Sequence, residues 1–224
     1  MVLFIGLGHT SRCGKDTVAN SLVYHLTAMN IAAKKIPFAW KLKEIAYDLY
    51  SWAGVERPEH YETKEGEQDR DIKLTALASD LFPDGPTVVE LWIAIGTPAF
   101  RDAVHPDTWV NFVTKQDHSA DVIVVPDCRF PNETDAIRGA GGYSFNCVRP
   151  GTPGRNSVAD NMMRSKGKWD STIGGNSLSE LHNQAYLIAQ AIYLKRDVAS
   201  ACVNPKHWES VYERNNLGFA RMSH

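Results

Sequence analysis

An apolar run, Val2 to Leu7, passes directly into Gly8-His9-Thr10-Ser11-Arg12-Cys13-Gly14-Lys15-Asp16-Thr17. After it Val18, Leu22, Leu26 and Met29 recur at helical spacing, with Ala19 and Val23 beside them. Strand, glycine-bearing turn and helix in that order constrain the fold strongly. The turn places backbone N–H groups around a point that the positive end of the helix dipole also faces, which is how a chain cradles phosphate. The match to G-x-x-x-x-G-K-[ST] is imperfect: His9 stands where the first glycine belongs, and Asp16 where a hydroxyl normally meets Mg²⁺. The expected roles are Lys15 on the β- and γ-phosphates, Thr17 on the α-phosphate side, Asp16 on Mg²⁺ directly or through water, and Ser11, Arg12, Cys13 and Gly14 as loop contacts. A plain glycine turn with a surface lysine is the alternative.

Beyond the loop, strand and helix patterns keep alternating. Ile31 to Phe38 reads as a strand, Trp40 to Trp52 as a helix, Val88 to Arg101 as one longer helix and Asp107 to Val113 as a short one. Asp121 to Asp127 is a buried strand ending in a carboxylate, Asn132 to Arg138 a helix, and Tyr143 to Val148 a strand. Ser177 to Glu180 reads as a capping box opening a helix whose Leu178, Leu181, Ala185, Ile188 and Ile192 line one face. Such alternation implies an α/β fold, a parallel sheet flanked by helices with ligands at the carboxyl ends of its strands. Glu56 to Asp71 and Pro150 to Asp170 break the pattern and read as loops, either solvated insertions or lids. Residues 203–224 carry Trp208, Val211 and Tyr212 and read as a short helix packed on the body or on a partner subunit.

Composition narrows the classes. A chain of 224 residues with 43% hydrophobic content can bury a full core as one domain. A net charge of −2 argues against general nucleic-acid or membrane-surface binding. No apolar run approaches the roughly 20 residues of a membrane-spanning helix. Cys13, Cys128, Cys147 and Cys202 lack C-x-x-C spacing and no signal peptide is evident, so reduced thiols and a cytoplasmic location are expected.

A second constellation is Asp127-Cys128-Arg129-Phe130-Pro131-Asn132-Glu133. An acid ending a buried strand suits a ligand of Mg²⁺ or its waters, and Arg129 leaves the same strand end toward the phosphates. Structural alternatives exist for both: Asp127 capping the helix near Asn132, and Arg129 pairing with Glu133.

The chain resembles the deoxynucleoside monophosphate kinases of tailed phages. The resemblance rests on S-R-C-G-K-D-T at 11–17, F-A-W-K-L-K at 38–43, G-T-P-A-F-R at 96–101, D-T-W-V at 107–110, D-C-R-F-P-N-E at 127–133 and D-S-T-I-G-G-N-S-L-S-E-L at 170–181, spanning about residues 2–195. The more distant phosphomevalonate kinases share G-K-D and compete as an identity, as does a nucleotide switch without acceptor chemistry. The resemblance implies a P-loop NTPase fold with monophosphate-binding and lid insertions: one domain over 1–224, with monophosphate binding at about 38–117, a lid at about 150–170 and an extension at about 203–224. It implies transfer of the γ-phosphoryl of ATP to a deoxynucleoside 5′-monophosphate, with Mg²⁺ held by Asp16 and Asp127, and a homodimer. Arg101 and Arg129 would grip the acceptor phosphate or transferring group, and Phe38 and Lys43 would help form the acceptor pocket. Trp109 would stack on the acceptor base or serve packing, Arg149 would approach the phosphates or adenine, and Arg155 and Arg164 would be lid arginines. Glu90-Leu91-Trp92 departs from the family pattern, which bears on which base is accepted.

Overall fold

A computed structural model describes residues 2–9, 12–152, 168–203 and 205–211. The chain divides into two compact units, one of residues 1–37 with 114–224 and one of residues 38–113.

The first unit is built on a five-stranded, all-parallel sheet ordered β2-β3-β1-β4-β5, with β1 at Leu3–His9, β2 at Ala33–Lys35, β3 at Val122–Cys128, β4 at Tyr143–Val148 and β5 at Ser171–Gly174. Parallel strands need crossovers, and α1 (Lys15–Ala28) makes the first. Strand alternation sorts the residues into two faces. Ile5 and Leu7 of β1, Val122 and Val124 of β3, Phe145 and Cys147 of β4 and Ile173 of β5 join one buried cluster with Val18, Leu22 and Leu26 of α1. A helix over Leu178–Tyr193 closes this face with Leu181, Ala185, Ile188 and Ala189. The other face receives the helix Pro131–Gly139: a Cβ on Gly6 would lie 2.5 Å from Ile137 Cδ1.

Several expectations are corrected here. The strand expected over Ile31–Phe38 pairs only at Ala33–Lys35, because Pro37 has no N–H to continue an edge ladder. β5 has no counterpart among the strands read from sequence; its four residues are too few to display alternation. Leu178, read on one face with Leu181, is 66% exposed, standing one turn before Leu181, the first buried position of its helix. Ser177 Oγ accepts from Glu180 N at 3.2 Å as expected, but the Glu180 carboxylate returns to Asn176 N at 2.8 Å, one residue earlier than a reciprocal box requires. A further helix covers 205–211, and its Trp208 and Val211 pack on Val148. That approach needs Gly174, where a Cβ would sit 2.6 Å from the Trp208 ring.

The 38–113 unit is helical, with helices at Trp40–Tyr50, Lys64–Asp69, Val88–Ala94 and Thr108–Thr114, the last ending one residue past the unit boundary. The single helix expected over 88–101 becomes a π-helix at Ile95–Asp102, because Pro98 lacks the N–H an α-helical register would use. Within the stretch read as a loop, Glu56–Asp71, lie a 3₁₀ turn at His60–Glu62 and the Lys64–Asp69 helix, capped by Thr63 Oγ1 accepting from Gly66 N at 3.0 Å. Tyr61 anchors it: its hydroxyl accepts from Glu56 N at 2.9 Å and its ring meets Trp92 edge-on at 5.0 Å. Among the described residues no helix is long and apolar enough to cross a membrane.

Candidate functional site

β1 delivers the chain into a turn with left-handed backbone at Arg12 (φ 60°) and Gly14 (φ 90°). A non-glycine residue there is strained, and such strain concentrates where a loop must aim its backbone. Gly14 is required twice over, by its φ and by space, since a Cβ would lie 2.5 Å from Leu181 Cδ1. It stands at the N-terminus of α1 and offers no side-chain cap, while its carbonyl accepts the first helical hydrogen bond from Val18 N at 3.0 Å. The N–H groups of Lys15, Asp16 and Thr17 have no intrahelical acceptor by construction, and together with the dipole they form a ready anion seat.

A cleft of about 400 Å³ opens on this seat. It brings together Arg12, Gly14, Lys15, Asp16 and Thr17 from the loop with Arg149 from the end of β4. Its far wall is Gly175 to Leu178, which the reading of the residues did not single out as a site. The available signal was a glycine pair following a strand and preceding a capped helix. The exposed Leu178 side chain forms part of that wall.

Lys15 Nζ lies 2.6 Å from Asp16 Oδ2, with 13% of the lysine side chain and 54% of the aspartate side chain exposed. Burial pulls the ammonium down, but the Asp16 carboxylate outweighs it and holds Lys15 above its ordinary value. The Arg129 guanidinium is near enough to act on Lys15 in the opposite direction. Arg129 is exposed just past β3, and Asp127 is half-buried near that strand's end. The strand end lies beside the loop because Gly8 pairs with Cys128, after a register shift around Pro126. Neither Asp127 nor Arg129 lines the cleft itself. Glu133 caps its own helix, accepting from Arg129 N at 2.5 Å and Phe130 N at 3.0 Å. The Glu133 pairing considered from sequence thus engages the Arg129 backbone. Trp169 is a second residue the sequence did not flag: a Cβ on Gly8 would meet its ring at 2.5 Å, so the indole sits over the β1 end.

Phe38, Lys43, Arg101 and Trp109 belong to the 38–113 unit, apart from Thr114 onward and from the loop residues in the division of the chain. Phe38 is 2% exposed. Trp109 is 4% exposed, its indole N–H donating to Gly96 O at 2.9 Å and its ring 5.1 Å from Phe100, so the packing role accounts for it within its unit. Lys43 pairs with Glu62 at 2.8 Å and lies 5.1 Å above the Trp92 ring. Arg101 is half-buried on the π-helix. Ser11, Arg155 and Arg164 lie outside the described residues.

Among the described residues no group of three or more His, Cys, Asp or Glu gathers as a metal cage. Mg²⁺ does not need one, being bound through one or two carboxylates together with phosphate oxygens and water. The partly exposed Asp16 carboxylate in the cleft is a donor of that kind. Comparison of the chain with protein-family models gives no match, and comparison with curated proteins gives none either.

Proposed function

We propose that this chain is an ATP-dependent phosphotransferase of the P-loop type that moves the γ-phosphoryl of ATP to a deoxynucleoside 5′-monophosphate, giving the diphosphate and ADP. The observation that carries the reading is the meeting, at the carboxyl end of the central strand β1, of a left-handed loop, a bare helix N-terminus and the semi-buried Lys15 ammonium, with the Arg129 charge in electrostatic reach.

Phosphoryl transfer asks little covalent help from a protein; positioning and charge stabilisation do the work. The N–H groups at the start of α1 bind phosphate oxygens, and Lys15 leaves Asp16 for the β- and γ-oxygens. Arg129 stabilises charge that builds as the phosphoryl moves, a contribution that rises from ground state to transition state and so accelerates the step. Mg²⁺, when bound, would be held by Asp16 and Asp127 and would neutralise charge between the β- and γ-phosphates. Arg149 and the Gly175–Leu178 wall hold the rest of the donor in the cleft. Arg101 and Lys43, carried by the 38–113 unit, serve the acceptor monophosphate, as the resemblance implies. The protein acts as a homodimer on the same ground.

The test is a screen of all common nucleoside and deoxynucleoside monophosphates with ATP and Mg²⁺, reading ADP. Monophosphate-dependent ADP formation is expected with at least one deoxynucleotide. ATP binding with no stimulation by any monophosphate would establish a nucleotide switch in its place, and no binding of ATP would remove the phosphate-loop assignment.

A further inference from the structure

A second cleft, of about 280 Å³, lies in the sheet unit against the same turn that walls the Lys15 cleft. Asn176 lines both. Gln184 builds the frame. Its side chain, 3% exposed, ties the chain that follows the Leu178–Tyr193 helix back onto that helix: Oε1 accepts from Val203 N at 3.1 Å, and Nε2 donates to Val203 O at 3.1 Å and to Gly174 O at 3.4 Å. The helix over 205–211 follows at once, with Trp208 seated on Gly174 and the His207 ring meeting the Trp208 ring edge-on at 4.7 Å.

The lining divides by burial. Gln184 and Trp208 are buried and hold the shape, whereas Asn176, Glu180, Asn183 and His207 are exposed and supply the chemistry. Glu180, Asn183 and Gln184 stand at i, i+3 and i+4 and so share one face of their helix. Glu180 Oε2 accepts from the backbone and side-chain nitrogens of Asn176 at 2.8 and 3.4 Å, which fixes the carboxylate at the mouth of the turn.

We propose that this cleft is a binding site for an adenine-type aminopurine carried on an uncharged nucleoside, separate from the Lys15 cleft. Among the described residues lining it there is no lysine or arginine, and Glu180 brings a negative charge, so a phosphate is disfavoured there. A carboxamide such as that of Asn183 or Asn176 offers a donor and an acceptor side by side, the arrangement that pairs bidentately with N7 and the exocyclic N6 amino group of adenine. A carboxylate accepts only, and so favours a ligand that carries an amino group. His207 and Trp208 add an aromatic corner against which a flat ring packs. The volume lies just under the range of roughly 300–1,000 Å³ typical of small-molecule sites, which suits one compact ligand. The site takes no part in the proposed phosphoryl transfer and stands whether or not the Lys15 cleft holds ATP.

The experiment titrates adenosine, and inosine in which a carbonyl replaces the amino group, calorimetrically into the full-length protein, alone and with excess Mg²⁺-ATP. Adenosine is expected to bind in both conditions and inosine about fivefold more weakly or worse, the lower end of what one bidentate pair discriminates. Asn183→Ala, at an exposed helix position where alanine is a good helix former, should weaken adenosine by a similar factor with ATP binding and the unfolding curve unchanged. In excess Mg²⁺-ATP, irradiated 8-azidoadenosine should label the segment carrying His207 and Trp208. Absence of adenosine binding, its displacement by ATP, equal affinity for inosine, or labelling confined to residues 12–17 or to the 38–113 unit overturns the proposal. A protein that binds no ATP overturns the nucleotide reading of the Lys15 cleft, while the label map and the inosine comparison still judge the second cleft.

Discussion

Lys15 is held by one carboxylate, Asp16, at 2.6 Å in a cleft that also contains Arg12 and Arg149. If it serves the β- and γ-phosphates, Lys15→Ala should lower ATP-dependent turnover by about 10²- to 10³-fold, a loss of the size seen when one fixed electrostatic partner is removed. Its unfolding curve should stay close to wild type, and near-normal turnover would refute the role. Asp127→Asn should lose most Mg²⁺-dependent activity, and Asp16→Ser should be milder because serine restores the commoner hydroxyl at that position. A dead Asp16→Ser beside a healthy Asp127→Asn would exchange the two roles. Arg129→Lys keeps the charge but loses the planar fork, so it should lower the maximal rate with little change in ATP affinity. Of these residues Lys15 and Asp16 are picked out in sequence by the loop motif, and Asp127 and Arg129 by their place at the end of a buried apolar run. The seating of Trp169 over Gly8 is not, since only the packing of segments distant in sequence brings them together.

At the scale of the element, the Val88–Ala94 helix shows how local rules hold. Thr87 accepts from Glu90 N at 3.1 Å while the Glu90 carboxylate accepts from Thr87 N at 2.7 Å and pairs with Lys73 at 3.0 Å. Thr87→Ala should destabilise the protein by about 1 kcal/mol in denaturant unfolding. The Thr87 N–H, followed by Lys73, pushes Glu90 down to about 2. A carboxyl lowered on folding contributes stability that is complete above its unfolded value near 4.5 and is lost as pH falls toward 2. Wild-type stability should therefore decline more steeply than that of Glu90→Gln across that interval in acid unfolding titrations; parallel declines would show that the box carries no such linkage. The following π-helix lay beyond periodicity, because one proline alters hydrogen-bond register without altering which residues are apolar.

For the whole molecule, the proposed nucleotide site belongs to the sheet unit, so nucleotide should stabilise that unit. ATP at 100 times its dissociation constant should raise unfolding free energy by about 2.7 kcal/mol in wild type and by much less in Lys15→Ala, read by thermal or denaturant melts. An equal rise in both would place the nucleotide elsewhere. The sequence by itself determined the α/β alternation, the β1-loop-α1 order and most helix starts, because those follow from side-chain periodicity and capping over a few residues. Strand order, the short β5, the Gly175–Leu178 wall and the seating of Trp208 on Gly174 were decided only by the tertiary structure. The physical reason is range: hydrophobic pattern and turn chemistry act between near neighbours, whereas register, face and burial are set by which distant segment packs opposite.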